Sequence, residues 1–344
     1  MFQPIQKTAQ EALINKISIN HLGEKSSQCN NSLKLKSNPL LQKIYSERMT
    51  CMHRISSLVL SSIPQNISIG GRDSQILIIG AGLDTSYNAL KSSIFVLDCP
   101  EVLGERSRLF EDECSVNYIT VNFNNISNMH DKLVKKNFQY GEFTLIVIEC
   151  VLCYNDPNCV EHLLSYFSAN LKNSFLVIYD PLVNTENEKS IESSDFYDDF
   201  SGHFRSRKVP IKFSFQSCPN AYNILRSHFP HVNCYTMSQA SILLGSLRQS
   251  SPPPHVLEDS TQNEQGEPFD EYASLALLHN SYGIFLASSR ADWFRSTLCK
   301  TTEGDREEVP TTSELGTSPG PRRICDLTLS FVSLLSRYVH ESRF

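Results

Sequence analysis

The stretch of residues 75–100 constrains the fold of this chain more than any other. Residues 76–79 are apolar and mostly β-branched, which is typical of a parallel strand buried on both faces. The glycine turn, residues 80–82 (Gly-Ala-Gly), follows directly, and a second apolar run at residues 94–97 ends in Asp98. This succession of strand, glycine turn, helix start and strand predicts a doubly wound α/β fold with a mostly parallel sheet.

The glycine turn also predicts a ligand. Gly80 and Gly82 allow a sharp turn and close approach of a ligand to the backbone, and Asp84 or Thr85 is expected to cap the helix that follows. Asp98 stands where doubly wound folds place an acceptor for ribose hydroxyls. The turn lacks a third glycine and a Gly-Lys-Ser/Thr sequence, which argues against a nicotinamide cofactor and a nucleoside triphosphate. Two alternatives are left open. The turn binds S-adenosyl-L-methionine, which carries an adenosine without a pyrophosphate, or it binds no ligand.

Three motifs in this order resemble the leucine carboxyl methyltransferase family: Gly-Ala-Gly-Leu-Asp-Thr from Gly80, Leu-Asp-Cys-Pro-Glu-Val from Leu97, and Glu-Cys-Val-Leu-Cys-Tyr from Glu149. The resemblance covers roughly residues 3–290. It implies an S-adenosylmethionine-dependent methyltransferase fold, Rossmann-like and mostly parallel, with an inserted lid region. It also implies methyl transfer to a carboxylate.

The same resemblance and the composition of the chain predict the domain organisation. We expect a family-like domain over residues 1–290, with a helical cap at 1–65 and a lid insertion at 184–215. Residues 291–344 turn polar and rich in Thr, Glu, Pro and Gly, which predicts a poorly ordered tail.

Charge and cysteine content exclude several classes of protein. A formal charge of −6 argues against generic nucleic-acid binding, although a local basic patch remains compatible with RNA. The 11 scattered cysteines fit a reducing compartment, and the pair Cys150 and Cys153 has no second pair at zinc spacing. Without a long apolar run or a signal peptide, the chain is expected to be a cytoplasmic monomer that binds neither membrane nor metal.

Two basic residues are candidates for the methionyl carboxylate of the cofactor. Arg48 falls on the apolar stripe of a helix predicted over residues 40–62, so it needs either a structural Asp or Glu or a bound anion. The resemblance favours the cofactor for Arg48 and for Lys16, although Lys16 also fits a snorkelling surface lysine. Lys43 and Ile44 replace the family's first arginine and glycine in this motif.

The remaining cofactor candidates follow the strands. The carboxyl ends of parallel strands meet at one crevice, so Asp98, Asn122 and Glu149 are expected to converge with the glycine turn. The resemblance assigns recognition of adenine to Asn122, which replaces the usual acid but can still accept a hydrogen bond, and Phe123 is a further cofactor-binding candidate. Glu149 on its own also fits a helix cap or a surface residue.

On the acceptor side, the resemblance places Tyr154 against the transferred methyl group or the substrate. Arg205, within the His-Phe-Arg segment that starts at His203, is expected to belong to a lid that sets specificity. A solvated charged helix is the alternative for this segment.

The family has two branches, and both esterify a carboxylate. One acts on the C-terminal leucine of the protein phosphatase 2A catalytic subunit, and the other acts in wybutosine synthesis on tRNA. Local motifs here resemble the wybutosine branch, whereas the absence of propeller repeats after residue 290 matches the phosphatase branch, which we favour. A binding protein of the same fold with weakened catalysis is the third alternative.

Overall fold

The computed structural model describes residues 39–63, 74–90, 92–110, 116–123, 125–182, 211–246 and 272–291. Lys16, Arg205, the tail and most of the expected lid lie outside the described residues, so those expectations stay predictions.

A seven-stranded sheet forms the centre of the described part of the chain. Its strands are Gln75–Ile79 (β1), Ser93–Asp98 (β2), Val116–Thr120 (β3), Thr144–Glu149 (β4), Ser174–Pro181 (β5), His231–Thr236 (β6) and Tyr282–Ser288 (β7). The order is β3-β2-β1-β4-β5-β7-β6, and β7 runs antiparallel to both of its neighbours. This is the mostly parallel α/β sheet predicted from the sequence.

Helices cover both faces of the sheet. They are Pro39–Ser61 (α1), Pro100–Leu109 (α2), Met129–Lys135 (α3), Pro157–Asn170 (α4), Cys218–Arg226 (α5), Met237–Ser246 (α6) and Tyr272–Asn280 (α7). Leu77 and Ile79 of β1 pack in a core with side chains of α3, α4 and α5. Ile76 and Ile78 pack in a second core with α1 and α6. Because successive side chains of a strand point to opposite faces, the continuous apolar run of β1 serves both cores.

The prediction of a full helix after the glycine turn was wrong. The glycine turn leads into a short 3-10 helix, Ser86–Ala89, rather than a full helix. Thr85 makes no side-chain cap bond, whereas the Asp84 carboxylate accepts a 2.9 Å hydrogen bond from the Ser86 N–H within the turn. Strand β3 ends at Thr120, so Asn122 and Phe123 follow the strand. Helix α6 follows β6 directly along the chain.

No helix among the described residues has the length and apolar character needed to cross a membrane. The same residues contain no group of three His, Cys, Asp or Glu side chains arranged to hold a metal ion.

Candidate functional site

The site lies at the topological switch point of the sheet. β1 pairs with β2 on one side and with β4 on the other, so the chain leaves β1 in one direction and returns on its opposite flank. Open α/β sheets bind ligands in the crevice that forms outside the carboxyl ends of strands at such a point. The glycine turn stands at the carboxyl end of β1, and its Gly80 N–H donates a 2.7 Å hydrogen bond to the Leu97 carbonyl.

The glycine turn requires glycine on structural grounds. Gly80 and Gly82 both have positive φ, +67° and +59°, a region that side chains disfavour. A Cβ added at Gly80 would also collide with the side chain of Val151, which follows β4. The turn therefore brings bare backbone next to the carboxyl end of β4.

Asp98 joins the glycine turn as predicted. Its Oδ2 accepts a 2.8 Å hydrogen bond from the Gly82 N–H, and its Oδ1 accepts one of 2.8 Å from the Cys99 N–H. Only 5% of Asp98 is exposed. Burial raises the pKa of Asp98, while these backbone hydrogen bonds and the nearby Arg106 act in the opposite direction.

Arg48 and Glu149 form an ion pair with an Nη2–Oε1 distance of 2.6 Å. Arg48 is 8% exposed, so the sequence-based requirement for an anionic partner is met by an acid that is itself a predicted site residue. Burial of Arg48 opposes its charge, yet Glu149 and other neighbours leave its pKa well above the ordinary value. Within the described residues, its buried Nε has no hydrogen-bond partner.

Tyrosines surround this ion pair. The Arg48 guanidinium lies 4.4 Å from the ring centre of Tyr45 and 5.4 Å from that of Tyr179. Tyr179 stacks on Tyr282 with ring centres 5.1 Å apart and planes 8° apart. Burial raises the pKa of Tyr154 well above its ordinary value, and its electrostatic neighbours include Tyr45 and Tyr282. We call Tyr45, Tyr154, Tyr179 and Tyr282 the tyrosine cluster; Tyr179 and Tyr282 were missed from the sequence because nothing local marks them.

A tight turn after β4 fixes the spacing between Glu149 and Tyr154. Cys150 adopts a positive φ of +54°, and its N–H donates a 2.7 Å hydrogen bond to the Tyr179 carbonyl. The buried Asp180 carboxylate accepts 3.2 Å hydrogen bonds from the N–H groups of Leu152 and Cys153. Burial raises the pKa of Asp180 to about 7, although these hydrogen bonds oppose the shift.

The loop beyond β3 carries the predicted adenine residues. Asn122 is exposed and forms an isolated β-bridge with Asn125, so it lies on the loop rather than on the strand. Phe123 is half-buried against the core. A cavity of about 290 Å³ opens beside it. Its lining consists of Phe123, Asn125, Ile126, Ser127, Cys159 and His162.

The sheet order and the glycine turn at the switch point define a methyltransferase-type α/β domain. Residues 30–168 match the family model described as leucine carboxyl methyltransferase. This match covers all three motifs and confirms the resemblance predicted from them.

Comparison with solved structures finds similar chains at low identity. A putative methyltransferase from Thermobifida fusca YX is 13% identical with a TM-score of 0.46, covering 74% of this chain and 84% of its own. A DUF574 family protein from Streptomyces avermitilis MA-4680 is 13% identical with a TM-score of 0.45, at 73% and 86% coverage. Human N-acetylserotonin methyltransferase, in complex with S-adenosylmethionine, is 11% identical with a TM-score of 0.38, at 83% and 66% coverage. None of the curated proteins matches the sequence.

Proposed function

We propose that this protein is an S-adenosylmethionine-dependent carboxyl O-methyltransferase. The observation that carries the proposal is the convergence, at the switch point, of a glycine turn with bare backbone, the buried acid Asp98 and the Arg48–Glu149 ion pair. The family match over residues 30–168 supports the reaction class.

The residues present fit this cofactor. Asp98 keeps its carboxylate next to the turn and would accept from the ribose hydroxyls, while Phe123 and Asn122 would contact adenine. Arg48 and Glu149 carry opposite charges side by side, which complements the carboxylate and ammonium of a methionyl group. Arg48 would bind the carboxylate, joined by Lys16 as the family resemblance implies, and Glu149 would bind the ammonium.

When bound, the cofactor would supply a sulfonium-bound methyl group, which would pass to a substrate carboxylate oxygen as an ester while S-adenosylhomocysteine leaves with the electron pair of the broken S–C bond. The contribution of the chain is alignment and exclusion of water. Burial raises the pKa of Tyr154 and of Tyr282, so both phenols stay neutral at physiological pH and provide apolar ring faces with a polar tip. A carboxylate with a pKa near ~4 is already ionised at neutral pH, so no general base is required.

This mechanism predicts a flat pH profile for the chemical step. Methyl transfer should rise with pH only until the substrate carboxylate ionises, and should stay level from about pH 6 to 8. Single-turnover rates measured with chemistry limiting would test this. A rate that climbs through neutral pH would indicate a thiol, amine or ring-nitrogen acceptor and would reject carboxyl methylation.

For the substrate, we propose the C-terminal leucine carboxylate of the protein phosphatase 2A catalytic subunit. A peptide tail needs only a narrow pocket beside Tyr154 and a lid that includes Arg205. A folded tRNA calls for a broad basic surface, whereas this chain has a formal charge of −6. Carboxyl methylation in tRNA wybutosine synthesis is the alternative within the same reaction class.

The test uses the full chain and methyl-labelled S-adenosylmethionine. The protein is incubated separately with phosphatase 2A catalytic subunit, the same subunit lacking its C-terminal leucine, and tRNA from wybutosine-deficient cells. We expect base-labile label on the intact subunit and none on the shortened control. Base-labile label on the tRNA alone would overturn the choice of substrate.

Two observations favour a second candidate, a binding protein of the same fold with weakened catalysis. Arg48 already has an ion-pair partner in Glu149. Lys43, which stands where the family has its first arginine, pairs with Glu47 at 3.3 Å. Such a protein would bind S-adenosylmethionine, as calorimetric titration would detect, and would label neither substrate.

A further inference from the structure

Arg106 of α2 is buried, with 3% exposure, yet it is not among the residues that the motifs mark. Its Nη1 donates to two carbonyl oxygens of the turn after β1, those of Gly82 at 3.2 Å and Asp84 at 2.8 Å. Its Nε donates to the Tyr118 hydroxyl of β3 at 3.0 Å. The Arg106 guanidinium therefore links the turn after β1 to strand β3.

Gly82 is consequently held at both of its backbone polar groups. Its N–H donates to the Asp98 carboxylate at 2.8 Å, and its C=O accepts from Arg106 at 3.2 Å. Gly82 has no side chain and a φ of +59°, so these two hydrogen bonds help to fix its backbone conformation. Burial raises the pKa of Asp98, and the charge of Arg106 acts in the opposite direction.

We propose that Arg106 is a positioning residue that holds the glycine turn in its ligand-binding conformation beside Asp98. This rests on the proposed function in so far as Asp98 receives the ribose. Arg106 itself acts through Gly82, Asp84 and Asp98.

The charge of Arg106 also bears on the titration of Asp98. The groups that affect the pKa of Asp98 are the N–H groups of Gly82 and Cys99, the Cys99 thiol and Arg106. Burial raises the pKa of the Cys99 thiol to about 12, so it stays uncharged. The Asp84 carboxylate is engaged with the Ser86 N–H. Arg106 is the cation of this set, so its removal should raise the pKa of Asp98 further.

The experiment compares Arg106→Gln with Arg108→Gln, a matched control on the same helix whose side chain is 61% exposed. In the ligand-free protein, carbon-13 NMR follows the titration of Asp98, and hydrogen exchange follows the Gly82 and Leu83 amides. We expect Arg106→Gln to raise the pKa of Asp98 and to speed exchange at these amides at least ~10-fold, since a hydrogen bond to a charged group is lost. Arg108→Gln should change neither.

Affinity for S-adenosylmethionine provides the second readout. Ionised Asp98 is the binding form, so affinity falls as pH drops through its pKa, and this fall should move to higher pH in Arg106→Gln. Unchanged titration and exchange would overturn the proposal. If the wild type binds no S-adenosylmethionine at any pH, the proposed function fails, and the ligand-free measurements still decide the role of Arg106.

Arg106→Lys covers the case in which Arg106→Gln does not fold. Lysine keeps the charge but not the planar fork that reaches two carbonyl groups and Tyr118. Faster exchange at Gly82 with the pKa of Asp98 nearly unchanged would support the proposal. Hydrogen exchange at the wild-type rate in Arg106→Lys would contradict the proposal that Arg106 holds the glycine turn.

Discussion

Replacing Arg48 with alanine is expected to weaken binding of S-adenosylmethionine at least ~10-fold, since it removes a charge-assisted hydrogen bond to the methionyl carboxylate. Binding of 5′-methylthioadenosine, which has no carboxylate, should change much less. The variant should also lose stability, because Glu149 would remain in the crevice without the cation that lies 2.6 Å away. Breaking a buried ion pair typically costs about 3–5 kcal/mol.

Two further variants separate ligand binding from folding. The pair Arg48→Met and Glu149→Gln in one chain removes both charges, so it should recover much of the stability without recovering affinity. Arg54→Ala, on the same helix, removes an arginine that donates to the Leu244 carbonyl at 2.8 Å and should leave both ligands unaffected. Calorimetric titration and denaturant unfolding provide the two measurements. Equal losses for both ligands in Arg48→Ala would make Arg48 purely structural.

Asp98→Ala should weaken both ligands, because S-adenosylmethionine and 5′-methylthioadenosine share the ribose. Hydrogen bonds to a charged group contribute about 1.5–3 kcal/mol each, so the loss of one bond predicts at least ~10-fold and the loss of two predicts more. Part of the effect would arise through the glycine turn, since the Gly82 N–H loses its acceptor at 2.8 Å.

Arg48→Ala should weaken mainly S-adenosylmethionine, whereas Asp98→Ala should weaken both ligands. This difference tests both assignments. Asp98→Asn keeps an oxygen for Gly82 but removes the charge, and it should fall between wild type and Asp98→Ala. Asp131→Asn, at an exposed acid in the first turn of α3, serves as the control. Unchanged affinity in Asp98→Ala, measured by the same titration, would show that Asp98 does not bind the ribose.

Much of the fold could be predicted because the strongest signals are local. The apolar runs of β1 and β4, a glycine turn and an acid at the end of β2 appear within short segments of the sequence. Each follows from backbone sterics and burial, which neighbouring residues largely determine. The full helix expected after the turn is not present, and the 3-10 helix Ser86–Ala89 stands in its place.

The sequence by itself determined that Arg48 needs an anion, because an apolar helix face leaves a guanidinium without water. Only the tertiary structure decided that Glu149, about a hundred positions away, is that anion in this conformation. Tyr282 reaches the site because β7 enters the sheet antiparallel beside β5, and Arg106 because its side chain extends from α2 to the Gly82 carbonyl. Such contacts join segments far apart in the chain, and no local pattern of residues encodes which partners the packed sheet brings together.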